Sequence, residues 1–135
     1  MAPLTRRAAA LPLQSRETVN RVVRDEDPLA YQPVSEVTGQ CRGAFVTLRK
    51  RGQLRGCIGL IEGMNPLVET VREMAAAAAL RDPRFDPVSE EELQELDIEI
   101  SAMSPICMVE DTARIEVGRD GLIVRRAGQQ GLLLH

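Results

Sequence analysis

Two periods alternate along this chain. Val19, Val22 and Val23 fall on one side of a helix that Ser15 caps and that runs to about Arg24, where Asp25, Glu26, Asp27 and Pro28 end it. Residues 28–40 read as an irregular connection. Ala44 to Leu48 has the β-branched and aromatic content of a strand, residues 49–53 supply a loop with a glycine, and Leu54 to Ile61 returns as its partner. Alternation along the returning strand sends Leu54, Ile58 and Leu60 to one side and Arg55, Cys57 and Ile61 to the other.

Helical spacing then resumes. Asn65 caps and Pro66 opens a second helix carrying Leu67, Val71, Met74 and Ala78, which ends before Asp82-Pro83 because a residue preceding proline is pushed out of helical geometry. Ser89 and Glu92 form a capping box, and Val88 with Leu93 a hydrophobic staple, at the head of a short third helix. Leu96 to Ser101 returns to period two. A further hairpin is expected from Ile115–Val117 and Leu122–Val124 around Gly118 to Gly121, with a last strand over Leu132 to Leu134. Hairpins with interspersed helices predict an α+β fold, a mostly antiparallel sheet with two or three packing helices in one compact domain. Residues 1–12 read as a mobile tail and 13–135 as the domain.

Composition narrows the function classes. The chain has 135 residues, 44% of them hydrophobic, enough for one core, and only Tyr31, Phe45 and Phe85 are aromatic, so aliphatic side chains must fill it. A formal net charge of −3 supplies no global field toward phosphate backbones, so nucleic acid is not an expected partner. Cys41, Cys57 and Cys107 are odd in number and widely spaced, which predicts free thiols and a cytoplasmic location. No metal site is expected, since the one histidine is the terminal His135. No apolar run approaches the roughly 18 residues of a membrane span. Phosphate-binding loops and dinucleotide fingerprints are missing, so no cofactor is expected.

Candidate chemistry centres on Cys57. A thiolate is the reactive form of cysteine, and a nearby cation favours it. Arg55 lies two positions away on the same face, at about 7 Å between Cβ atoms in an extended chain. Gly56 and Gly59 leave room for another backbone or a substrate. Against this, free cysteine is among the most buried residue types and a strand cysteine is commonly core filler. The missing internal histidine argues against a Cys-His dyad. Arg84, held between Pro83 and Pro87, can present its cation to an anion or simply pair with Asp82 or Asp86. Glu99 and Ser101 share a strand face, and Glu99 is the available general base if that face meets the one carrying Cys57.

Leu54-Arg55-Gly56-Cys57-Ile58-Gly59 does not stand alone. With residues 43–48, Asp82-Pro83-Arg84-Phe85, residues 98–101 followed by Ser104-Pro105, and residues 118–122, in that order, the chain resembles the AMMECR-one domain family, called AmmeMemoRadiSam system protein A in prokaryotes. The resemblance covers residues 43–134 well. It implies an α+β fold, an intracellular protein, and Memo-like and radical SAM proteins as partners, with no settled reaction. Cys57 and Arg55 are the catalytic candidates under a Cys57-dependent modification acting on a small-molecule or protein substrate. Gly56, Gly59, Arg84 and Ser101 are binding candidates under that reading or under an adaptor that uses the Leu54–Gly59 face. Members continue past Gly-Leu-Leu-Leu with a further helical segment, which is expected to be absent here. That leaves Leu132 to Leu134 as an apolar edge through which a homodimer is expected.

Overall fold

A computed structural model describes residues 10–104, 106, 108–116 and 120–133. Cys107 and residues 1–9 lie outside the described residues. The chain divides into two compact units, one within residues 10–104 and one from Ile106 onward. The class is the expected one: helices with antiparallel sheets.

In the first unit, α1 (Ala10–Val23) and α3 (Leu67–Leu80) lie on one side of a three-stranded antiparallel sheet of β1 (Ala44–Lys50), β2 (Gln53–Leu60) and β3 (Leu96–Ala102), in the order β2-β1-β3. A four-residue helix, α2 (Glu36–Gly39), interrupts the segment expected to be irregular; Ser35 and Thr38 cap it reciprocally. The core forms where Ala44, Val46 and Leu48 of β1 meet Val71, Ala75, Ala78 and Ala79 of α3 and Val19 of α1.

Two helix starts differ from expectation. Ser15 does not cap α1; it is buried inside it, the helix begins at Ala10, and Leu11 is buried in the core. Residues 10–12, placed in the tail from the sequence, therefore belong to the helix. Arg16 of α1 donates to the Leu93 carbonyl at 3.0 Å and to that of Leu96, tying the helix to the start of β3. Asn65 does not cap α3 either. Pro66 occupies the cap position, the Thr70 hydroxyl donates to the Asn65 carbonyl at 3.3 Å, and the Leu67 N–H donates to the Gln40 carbonyl.

The β1–β2 hairpin is tighter than a five-residue loop. Its tip is Arg51-Gly52, with φ of 51° and 80°, the two left-handed residues of a two-residue turn whose twist matches that of the strands. The Ser89/Glu92 contact is present, the Ser89 N–H donating to Glu92 at 2.9 Å, but the helix it opens (Glu90–Glu95) is 3₁₀.

In the second unit, Asp111 caps a 3₁₀ turn over Thr112–Arg114, and β4 (Leu122–Arg126) pairs antiparallel with β5 (Gln129–Leu133). β4 and β5 meet at a turn at Ala127-Gly128, again two left-handed residues, with φ of 50° and 79°, and the hairpin expected around Gly118 to Gly121 falls largely on residues outside those described. Val117, Gly118, Arg119 and Leu134 fall outside the described residues.

Candidate functional site around Cys57

A regular ladder run back from the Lys50–Gln53 pair would set Cys57 opposite Val46, a core position. The register slips between Leu48 and Arg49, so that Leu48 faces Gly56 and Arg49 faces Leu54, leaving Arg55 as the extra residue of a bulge. Cys57 therefore lies opposite Thr47, on the face pointing away from the helices, and Leu54 shares Arg49's side instead of joining Ile58 and Leu60. The Cys57 Sγ and Thr47 Oγ1 lie 3.2 Å apart, the close approach of a pair whose backbone groups point away from each other.

Those backbone groups face the free edge of β2, where they meet a loop. The Cys57 N–H donates to Asp82 Oδ2 at 2.9 Å, and Arg84 donates to the Cys57 carbonyl at 3.3 Å. Arg84 also grips the Asp82 carboxylate with two bonds of 3.0 and 2.8 Å. The Arg84 guanidinium holds the Asp82 carboxyl well below the usual carboxylate range; burial pushes it up, and the N–H groups of Cys57 and Arg84 pull it down again. Arg84 thus pairs with Asp82, as the blander expectation had it, and touches Cys57 through the main chain.

Arg55 turns to a different partner. Its Nε and one terminal nitrogen each lie 3.0 Å from a Glu92 oxygen, and that terminal nitrogen also reaches the Pro87 carbonyl at 3.3 Å. Lys50 adds a third cationic contact to Glu92 at 3.0 Å. Arg55 first, with the Ser89 N–H and Lys50, lowers the Glu92 pKa to about 2. The cation expected beside the thiol is bound up with this carboxylate. Both guanidinium groups lie over the Phe85 ring, 5.9 Å from its centre for Arg55 and 5.4 Å for Arg84.

The two glycines face opposite ways, Gly56 toward α3 and Gly59 onto the outer face. A Cβ on Gly56 would sit 2.3 Å from the Ala78 carbonyl oxygen, so the backbone approaching Gly56 is that of α3. A Cβ on Gly59 would sit 2.3 Å from the Phe45 ring, which lies across its cross-strand partner. Neither glycine leaves a gap for a ligand.

Glu99 and Ser101 do share the face of Cys57. Thr47 pairs with Cys57 on one side and Glu99 on the other, making one row across the sheet; Gly59, Phe45 and Ser101 make the next. Glu99 is exposed and its carboxylate lies 3.4 Å from Arg49 Nε. The structure therefore brings together Cys57, Glu99, Ser101, Gly59 and the tip of Arg84, and it separates Arg55 and Gly56 from them. Thr47 and Asp82 were missing from the sequence-based site. The spacing Asp82-Pro83-Arg84 was a signal for the second; Thr47 depended on the bulge. Among the described residues no group of three metal-ligating side chains forms, and no helix is long and apolar enough to cross a membrane.

Known proteins can be compared with this geometry. A protein of Methanothermobacter thermautotrophicus is 50% identical over 105 residues, covering 73% of this chain and 55% of its own length. One from Methanopyrus kandleri is 38% identical over 129 residues, covering 89% and 62%. The solved structure of an uncharacterised Pyrococcus horikoshii protein superposes with a TM-score of 0.82 at 33% identity, over 92% of this chain and 66% of that one. The chain spans a little over half to about two thirds of the length of these relatives. The AMMECR1 family model matches residues 14–134. The chain belongs to the AMMECR1 family.

Proposed function

We propose that this chain is a non-catalytic adaptor or ligand-binding module whose working surface is the sheet face carrying Cys57, Thr47, Glu99 and Ser101. One observation carries the reading: each charged group near the thiol is paired with a charge of opposite sign. Arg55 is bound to Glu92, Arg84 to Asp82, and Glu99 to Arg49. Cys57 keeps a neutral hydroxyl neighbour, Thr47, and a main chain fixed on its outer edge. Among the described residues, none hydrogen-bonded to the thiol is a base that could make it a nucleophile. Memo-like and radical SAM proteins, implied by the family resemblance, are the partners to test first, and self-association through the C-terminal edge belongs to the same set of trials.

A Cys57-dependent modification is the second reading, favoured by the thiol and hydroxyl at 3.2 Å and by the two hydrogen bonds that hold the Cys57 main chain. Two variants separate the readings by calorimetric titration with each partner. Cys57→Ser is expected to keep affinity within about threefold and Cys57→Arg to lose more than tenfold, since about 1.4 kcal/mol is a factor of ten. Loss of partner-dependent product with Cys57→Ser, at unchanged affinity, would move the assignment to catalysis. Gly56 is unsuitable for such a test because it packs on α3.

A further inference from the structure

Strand β2 is an edge strand, and an edge offers unpaired N–H and C=O groups to any other strand. At Cys57 both groups are already taken, by side chains: the Asp82 carboxylate accepts where a neighbouring strand's carbonyl would, and the Arg84 guanidinium donates where its N–H would. The segment carrying them lies along the edge as far as Arg55, which donates to the Pro87 carbonyl. It is anchored at both ends, by Asp82, which is 4% exposed, and by Val88, which is buried and donates its N–H to the Ala79 carbonyl. Pro83 and Pro87 carry no N–H, so the strap cannot itself continue a ladder.

We propose that residues 82–88 are a strap that blocks edge-to-edge pairing of β2, and that the strand it excludes is β2 of a second copy of this chain. Antiparallel pairing about a twofold axis at Cys57 would let its N–H meet the carbonyl of the second copy's Cys57, and the reverse, replacing both strap bonds at once. Of the two residues flanking that position, Gly56 carries no side chain and Ile58 points to the helix side of the sheet, opposite Val46. This inference is independent of what the Cys57 side chain does, since it concerns only the main chain.

The test uses the full chain with Asp82→Ala and Arg84→Ala combined, and with Arg84→Ala alone. Sedimentation measures mass across a hundredfold concentration range, and hydrogen exchange follows the Cys57 amide. The double variant is expected to show that amide exchanging at least tenfold faster than wild type when dilute, and protected again as mass doubles on concentration. The protection at Cys57 distinguishes this association from one through the C-terminal edge. Arg84→Ala alone, whose side chain is 55% exposed and dispensable for the core, is expected to show the same behaviour more weakly, and Arg84→Lys to suppress it. Folded Arg84→Ala whose mass distribution matches wild type at every concentration, with Cys57 exchange unaltered, overturns the proposal even if the double variant fails to fold.

Discussion

Glu92 holds more of the site than any of the residues that first drew attention. It accepts from Arg55 through both oxygens, from Lys50, and from the Ser89 N–H, and so ties the hairpin of β1 and β2 to the 3₁₀ helix. Replacing Glu92 by Gln keeps the shape and removes the charge that three of those contacts use. Hydrogen bonds to charged groups contribute roughly 1.5–3 kcal/mol each at most, and the partners lost here relax into solvent to different extents. Urea denaturation of Glu92→Gln at pH 7 is expected to show a loss of about 2 kcal/mol; a change within a few tenths would mean that Arg55 and Lys50 are as well solvated without it. At this scale the sequence was only half legible. The Ser89/Glu92 spacing was plain, because capping is local. That Arg55 would choose Glu92, 37 positions away, over Cys57, two positions away, followed from packing alone.

At the scale of elements, one glycine sets the distance between strand and helix. Gly56 lets β2 lie against the alanine face of α3, where Ala75 to Ala79 are all buried. Gly to Ala in a strand ordinarily gains about 0.4–1 kcal/mol by restricting the unfolded chain. Here the added methyl meets a backbone carbonyl at 2.3 Å, and overpacking against backbone costs about 1–3 kcal/mol, so the clash wins. Gly56→Ala is expected to lower the thermal midpoint, with a net loss of about 1–2 kcal/mol; a raised midpoint would show that α3 can slide away at little cost. The same close approach accompanies the bulge at Arg55, which turns Gly56 inward and Cys57 outward. Alternation in the sequence had placed Arg55 and Cys57 together and Leu54 opposite them. A bulge adds one residue without any signature in composition, so the pattern stayed readable from Gly56 onward and misled before it.

For the whole molecule, the ion pairs make acid the weak side of stability. Asp82 and Glu92 both have carboxyl pKa values below their ordinary ones, Glu92 near 2 against 4.5. A depressed folded-state pKa means that the unfolded chain takes up protons first. The stabilisation is full above about pH 4.5 and is lost as pH falls toward 2. Stability measured from pH 7 down to 2 is expected to fall steeply below about pH 4.5, and the Glu92→Gln profile to be flatter, converging on wild type at the acid end. Parallel profiles would show that Glu92 is not one of the groups responsible. What the sequence determined by itself was whatever depends on near neighbours: the class of fold, the hairpin of β1 and β2, α3 ending before Asp82, the capping box of Ser89 and Glu92, and the family to which the chain belongs. Tertiary structure alone decided which face Cys57 occupies, that Arg55 goes to Glu92, and that Asp82 and Arg84 close the strand edge. Those outcomes turn on a one-residue slip in register and on contacts 25 to 37 positions apart, and no local pattern encodes which long-range partner a charged side chain meets when the helix and the strand close on each other.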